Sequence, residues 1–230
     1  TALRPLAAGR LSNRSAWVLV AVGFIGGSGC VWLAGNLQAA FAAMLTWILY
    51  VGVYTPLKKI TPLNTAVGAV AGALPIAIGW LAVDGPQQLL AGDIAASLAV
   101  AALGTVLYLW QFPHFMAIAW LYRKQYGLAN LKMLTVTDPS GLRAAGQSLA
   151  AALAMIPVSL AMAIPSGSIR MFLTAALAST VYVLVSVNFA FRRDDRSARI
   201  LLFTSLGVLL ILMTSAVAFS APKILTGSYL

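Results

Sequence analysis

Two short segments of this chain combine cations with hydroxyl and amide donors in a pattern suited to a phosphate ester. Thr1–Arg10 carries Arg4 and Arg10 on either side of Pro5, and Tyr54–Thr65 carries Tyr54, Lys58, Lys59, Thr61 and Asn64. Lys and Arg supply charge, and neighbouring hydroxyl and amide groups near helix ends supply directed hydrogen bonds to phosphate oxygens. The same residues also suit plain loops whose cations orient a membrane protein. A third segment, Trp110-Gln111-Phe112-Pro113-His114-Phe115, holds the only histidine in strongly apolar surroundings. An ionisable group at such a place is a functional candidate. Pro113 lacks an N–H and disturbs the preceding turn, so His114 could instead satisfy a freed carbonyl or the Gln111 side chain. Carboxylates are scarce: there are five Asp and no Glu. Asp194-Asp195 is the only adjacent pair, and local pairing with Arg192, Arg193 and Arg196 is expected there rather than a metal. Asp138 before Pro139 reads as a turn residue. Cys30 stands alone, which excludes an intrachain disulfide and a cysteine metal cluster.

The elements that position these groups must lie in lipid. The 230 residues are 61% hydrophobic and 9% charged, with a mean hydropathy of +0.91. A soluble domain has about a quarter of its residues charged, and one core cannot bury this much apolar surface. Seven stretches are long enough to span a bilayer, which takes about 20 residues. They run near Ser15–Gly35, Leu37–Tyr54, Asn64–Val83, Asp93–Tyr122, Gln147–Ile164, Met171–Phe191 and Ile200–Ser220. Each is continuous rather than alternating, so the fold class is an all-α polytopic bundle and not a barrel. Pro113 is expected to kink or break the long fourth span. Gly68 and Gly72 permit close helix approach. If the spans alternate in direction, thirteen of the fifteen cations fall on one side, and only Arg170 and Lys223 fall on the other. That asymmetry makes the first side cytoplasmic and removes nucleic acid as the explanation of the +10 charge. Asp84 and Asp93 fall on the far side.

These segments resemble the protoheme IX farnesyltransferases (heme O synthases) of the UbiA prenyltransferase superfamily. Arg4-Pro5-Leu6 with Gly9-Arg10 is similar to the family's RPL–GR segment, and Tyr54-Thr55-Pro56-Leu57-Lys58-Lys59 through Thr61, Asn64 and Thr65 to its YTPLKR–T–NT loop. Gly72-Ala73-Leu74-Pro75 with Gly79-Trp80 resembles the next helix. Trp110–Phe115 resembles the WQ-PHF motif of the heme branch, and Tyr122-Arg123, Tyr126 and Met133-Leu134 resemble the loop after it. The likeness runs in order from Thr1 to about Met213. Gln125 departs from it where many members carry Asp, and a neutral amide cannot balance a metal ion as a carboxylate does. Ile76 replaces a second proline.

The resemblance implies a single membrane domain of nine helices around a cavity. Seven are present across 1–230, and the other two are expected upstream of Thr1 with the first Asp-rich motif. It implies transfer of farnesyl from farnesyl diphosphate to the vinyl group of protoheme IX (heme B), giving heme O for heme A synthesis and heme–copper oxidases. Mg²⁺ is the implied cofactor, with no ligand assigned in this chain. A chain without the upstream motif is expected to be nearly inactive alone. Lys58, Arg123 and Tyr126 take the catalytic places. Arg4, Arg10, Tyr54, Thr61, Asn64, Trp110, Gln111 and His114 take the substrate-binding ones, and Tyr108, Phe112 and Phe115 line the cavity. His114 is expected at the porphyrin, on its iron or a propionate. The lipid bilayer and heme A synthase are the implied partners, in a bacterial inner (plasma) membrane. The competing readings are a prenyltransferase acting on quinone or chlorophyll precursors, which WQFPHF disfavours, and a multi-span transporter subunit. The transporter would need polar groups near the midplane, where the spans hold little besides His114.

Overall fold

A computed structural model describes residues 5, 6 and 8–219. The described residues form helices and turns without strands. The first span is α1 (Asn13–Ala34). The second is α2 (Leu37–Ile48), which continues through a π-helical turn, Leu49–Tyr54, into the short α3 (Thr55–Leu57). Then come α4 (Asn64–Ala82), the short α5 (Gly85–Leu90) and the 28-residue α6 (Ile94–Leu121). The loop after α6 carries α7 (Arg123–Leu128) and α8 (Leu134–Thr137). Three long helices finish the chain: α9 (Leu142–Ala161), α10 (Ile169–Arg192) and α11 (Asp195–Ala218). Seven helical segments are long and apolar enough to cross a bilayer, as the sequence leads one to expect, and the protein is an integral membrane protein.

Two starts lie about five residues earlier than the apolar pattern indicates, one set by a tight turn and one by a capping box. Helix α9 begins at Leu142 rather than Gln147. Gly141 sits at φ +73°, and a side chain there would collide with the Trp120 ring. The Asp138 carboxylate accepts from the Ser140 hydroxyl (2.5 Å) and the Arg143 amide (2.8 Å), bonds that hold its carboxyl below the usual carboxylate range. Helix α11 begins at Asp195 rather than Ile200 because Asp194 and Ser197 form a reciprocal capping box. Polar first turns of helices that overrun the hydrocarbon are invisible to hydropathy.

Pro113 does not break α6, which runs unbroken from Ile94 to Leu121. The turn before it gains a polar partner instead: the Tyr182 hydroxyl of α10 donates to the Trp110 carbonyl at 2.7 Å. Helix α6 is the hub of the bundle and packs against α4, α9 and α11, while α10 joins α9 to α11 and closes a four-helix unit. Val106, Trp120, Met155, Tyr182, Phe189 and Leu201 fill that unit. Buried Ser148, Ser179, Ser186 and Ser205 let its helices approach closely. Small residues serve this purpose in lipid, where burial of apolar surface gives helices little reason to associate. Helix α4 extends the bundle from α6 to α2, and α1 lies outermost with no buried residue.

Candidate active site

The 54–64 and 123–135 segments meet at one end of the bundle. The π-helical turn holds one extra residue within the end of the second span, and wide turns of this kind recur at functional sites. Here it turns Tyr54 inward against α4, at a point where a Cβ on Gly68 would lie 2.7 Å from the Tyr54 ring. The Lys58 ammonium sits 4.1 Å from the centre of the same ring, a cation–π contact that holds the charge near the buried face of the loop. Lys58 is half-buried and Lys59 exposed.

Backbone bonds fix the two segments together. The Lys132 amide donates to the Lys58 carbonyl at 2.6 Å. The fully buried Asn64 side chain donates to the carbonyls of Thr61 (2.7 Å) and Lys132 (3.2 Å). The Thr135 hydroxyl donates to the Ala119 carbonyl (2.7 Å), which ties α8 to α6. Thr61 lines an open cavity of about 290 Å³ with Ala66, Leu134, Arg143 and Gln147. Lys132, Arg143 and Gln147 were not singled out by sequence. The signal available for the last two was their i, i+4 spacing at the polar start of α9.

Other expected site residues are placed differently. Arg4 lies outside the described residues. Arg10 is exposed in the turn before α1. Tyr126 lies on α7 with its ring 6.4 Å from that of Tyr122. Arg123 donates to the Trp120 carbonyl (2.5 Å) and to Asp195 (2.9 Å), with its guanidinium over the Trp120 ring. For Asp195 this corrects the expected local pairing with Arg192, Arg193 and Arg196. Asp195 pairs with an arginine of another element, whereas Asp194 caps α11 by accepting from the Ser197 amide at 2.7 Å. That bond, with the Ser197 hydroxyl and then the nearby Arg192 and Arg196 charges, holds the Asp194 carboxyl below its ordinary value.

The six residues Trp110–Phe115 are distributed around α6, since each position turns by about 100°. Gln111 is buried and faces α4, donating to the Ala69 (2.9 Å) and Leu107 (3.0 Å) carbonyls. Its carboxamide occupies the space that a Cβ on Gly72 would fill, so Gly68 and Gly72 admit specific side chains rather than a bare backbone contact. Phe112 is buried with Ala69 and Ala151, its ring 5.1 Å edge-on from Tyr108, and Phe115 packs near Met116 and Leu134. Trp110 and His114 face α10 and α11 instead. The Trp110 indole N–H donates to the Ser205 carbonyl (2.6 Å), and His114 Nδ1 lies 2.8 Å from the Ser205 hydroxyl. His114 therefore satisfies neither Gln111 nor a carbonyl freed by Pro113. Ser205 and Tyr182 had no sequence signal beyond being polar groups in apolar helices.

Among the described residues no three His, Cys, Asp or Glu side chains gather where a metal ion could be held. Asp138, Asp194 and Asp195 are each engaged in a cap or an ion pair. These residues alone do not compose a Mg²⁺ site.

The sequence profile of the UbiA prenyltransferase family matches residues 1–219. The chain is 41% identical over 218 residues to the protoheme IX farnesyltransferase of Rhodopirellula baltica, covering 91% of this chain and 73% of that protein. Against the protoheme IX farnesyltransferase of Koribacter versatilis the identity is 37% over 177 residues, covering 77% and 54%. Against the mitochondrial protoheme IX farnesyltransferase of Arabidopsis thaliana it is 43% over 162 residues, covering 69% and 35%. The chain thus spans about three quarters of the first relative, about half of the second and about a third of the third. No solved structure matches it.

Proposed function

The chain belongs to the UbiA prenyltransferase family, and we propose that it transfers a farnesyl group from farnesyl diphosphate to the vinyl group of protoheme IX, giving heme O. The observation that carries this reading is the match of nearly the whole chain to relatives named for that reaction, joined to the cationic end where Lys58, Thr61 and Asn64 are held together. The reaction consumes farnesyl diphosphate, protoheme and water; it releases diphosphate and leaves a hydroxyethylfarnesyl chain on the porphyrin.

The protein's own task is to stabilise negative charge on the departing diphosphate and to keep water from the allylic cation until the new bond forms. Lys58, with Arg4 and Arg10 as further cations, serves the first need, because a fixed positive charge counts for more as the leaving oxygen gains charge. Tyr54 keeps the ammonium near the loop's inner face, and Asn64 fixes the loop. Tyr126, whose ring lies beside that of Tyr122, is assigned to the same end of the bundle. Arg123 acts through Asp195 and Trp120 as a brace between α6 and α11 rather than as a direct clamp. Phe112, Phe115, Tyr108, Trp110 and Gln111 exclude water from the apolar interior, and His114 meets the porphyrin. Mg²⁺, when bound, would supply further charge to the diphosphate oxygens; its ligands are not composed by the described residues alone, and no step here depends on it. We place the cationic end on the cytoplasmic side of a bacterial inner membrane, with heme A synthase as the enzyme that takes the product. Incubating the full-length protein in nanodiscs with hemin, 4-hydroxybenzoate, reductant, Mg²⁺ and labelled farnesyl diphosphate tests the reading. Label in the porphyrin supports it, and label in 4-hydroxybenzoate but not in porphyrin overturns it.

A further inference from the structure

Ser205 is fully buried in the four-helix unit, and its hydroxyl meets His114 there. The Ser205 hydroxyl has a single proton and two neighbours: the Leu202 carbonyl oxygen at 2.5 Å and His114 Nδ1 at 2.8 Å. Two oxygens at 2.5 Å without a proton between them repel, so the hydroxyl proton belongs to the bond with Leu202. Ser205 can then meet His114 only as an acceptor, and Nδ1 must carry the ring proton. In a neutral imidazole one nitrogen donates and the other accepts. Nε2 is therefore the nitrogen with the lone pair.

The surroundings hold the ring in that state. Trp110 stacks on it with centroids 4.7 Å apart and planes 24° from parallel, and Phe115 flanks it at 5.7 Å. Trp110 is itself pinned twice, by its indole bond to the Ser205 carbonyl (2.6 Å) and by the Tyr182 hydroxyl on its own carbonyl (2.7 Å). Helix α6 contributes His114, Trp110 and Phe115, α10 contributes Tyr182, and α11 contributes Ser205. Among the described residues Nε2 makes no hydrogen bond. A ring oriented through one N–H bonded to oxygen, with its other nitrogen free, is the arrangement by which proteins present imidazole to a metal.

We infer that Ser205 is a positioning residue that fixes His114 as its Nδ1–H tautomer and presents Nε2 as the electron-pair donor to a metal centre. Resting on the function proposed above, that centre is the porphyrin iron. The step is a dative bond from Nε2, with no change of oxidation state and no proton released. Ser205 therefore does not touch the substrate and acts only through His114.

The 230-residue chain has one histidine, so ring ¹⁵N labelling reports this site alone. In nanodiscs, wild type and Ser205→Thr should show a protonated Nδ1 and a lone-pair Nε2. Ser205→Ala should show both tautomers. Adding gallium(III) protoporphyrin IX, a diamagnetic stand-in for the iron porphyrin, should shift Nε2 selectively in wild type. Ser205→Ala should bind it roughly 10–100-fold more weakly, the usual effect of losing a partner behind a metal ligand. A protonated Nε2 in wild type overturns the inference, as does an unchanged tautomer in Ser205→Ala. If Ser205→Ala does not fold, wild type and Ser205→Thr still decide the tautomer. A correct tautomer with no Nε2 response to the gallium porphyrin overturns the metal role. If the full-length protein still labels heme in that case, the proposed function stands without this inference. A clear Nε2 response with no farnesyl transfer has the opposite meaning.

Discussion

Replacing Gly72 with Ala would test how tightly the α4–α6 contact is specified. The added Cβ would sit 2.8 Å from both Cδ and Nε2 of Gln111, inside any ordinary contact distance. The carboxamide must then move, and with it the bonds to the Ala69 and Leu107 carbonyls at 2.9 and 3.0 Å. Overpacking in a tight core costs about 1–3 kcal/mol, and a lost side-chain bond in a membrane bundle about 0.6 kcal/mol, at most about 1.7. Against this, Ala in place of Gly inside a helix gains up to about 1 kcal/mol. Steric overlap wins, and the expected net loss is about 1–3 kcal/mol. Unfolding by SDS from mixed micelles measures it. The diagnostic is a double-mutant cycle with Gln111→Ala, which removes the obstructing group: in that background Gly72→Ala should be neutral or slightly stabilising. The coupling should then exceed about 1 kcal/mol, whereas independent sites add within about 0.5 kcal/mol. Additive losses would refute the claim that these two residues share one space.

Three further outcomes are expected. Single cysteines at Asn13, Thr61 and Ser140, in a Cys30→Ala background, should all react with an impermeant maleimide from the same side of sealed vesicles; labelling from both sides would break the arrangement of the spans. In the full-length protein Lys58→Ala should raise KM for farnesyl diphosphate at least tenfold with little change in hemin affinity, while the exposed Lys59→Ala should not; equal kinetics for both would reduce Lys58 to an orienting charge. Asp194 is ionised more readily in the folded protein than its ordinary 3.8 because Ser197 donates to it. Its capping contribution is therefore present above that value and lost as pH falls toward the lowered folded value. Melting curves between pH 3 and 6 should show an acid loss that Asp194→Ala diminishes, and an identical pH slope in the variant would contradict the cap.

The seven spans were legible because lipid demands long apolar helices, and the Lys and Arg between them gave an expectation of which ends belong together. Lys58 meets Lys132 and Arg123 meets Asp195, so the loops after the second, fourth and sixth spans lie against one another. What was not legible depended on caps and on direction around a helix. The Asp194–Ser197 box and the Asp138 turn start two helices inside polar sequence, where hydropathy reads loop. Trp110–Phe115 reads as one motif, yet helical rotation sends Gln111 to α4 and Trp110 with His114 to α11. Ser205 looks like any small residue in an apolar helix until His114 is seen beside it. Arg123 and Asp195 are 72 positions apart, so no local pattern joins them.

The central claim is that this bundle places a farnesyl donor at its cationic end against an iron porphyrin. Mass analysis of the porphyrin after incubating the full-length protein with hemin, reductant, an aromatic acid, Mg²⁺ and deuterated farnesyl diphosphate measures it most directly. The account predicts a deuterated hydroxyethylfarnesyl heme whose yield falls sharply in Lys58→Ala. Unmodified porphyrin, with the deuterated chain recovered on an added aromatic acid instead, would contradict it.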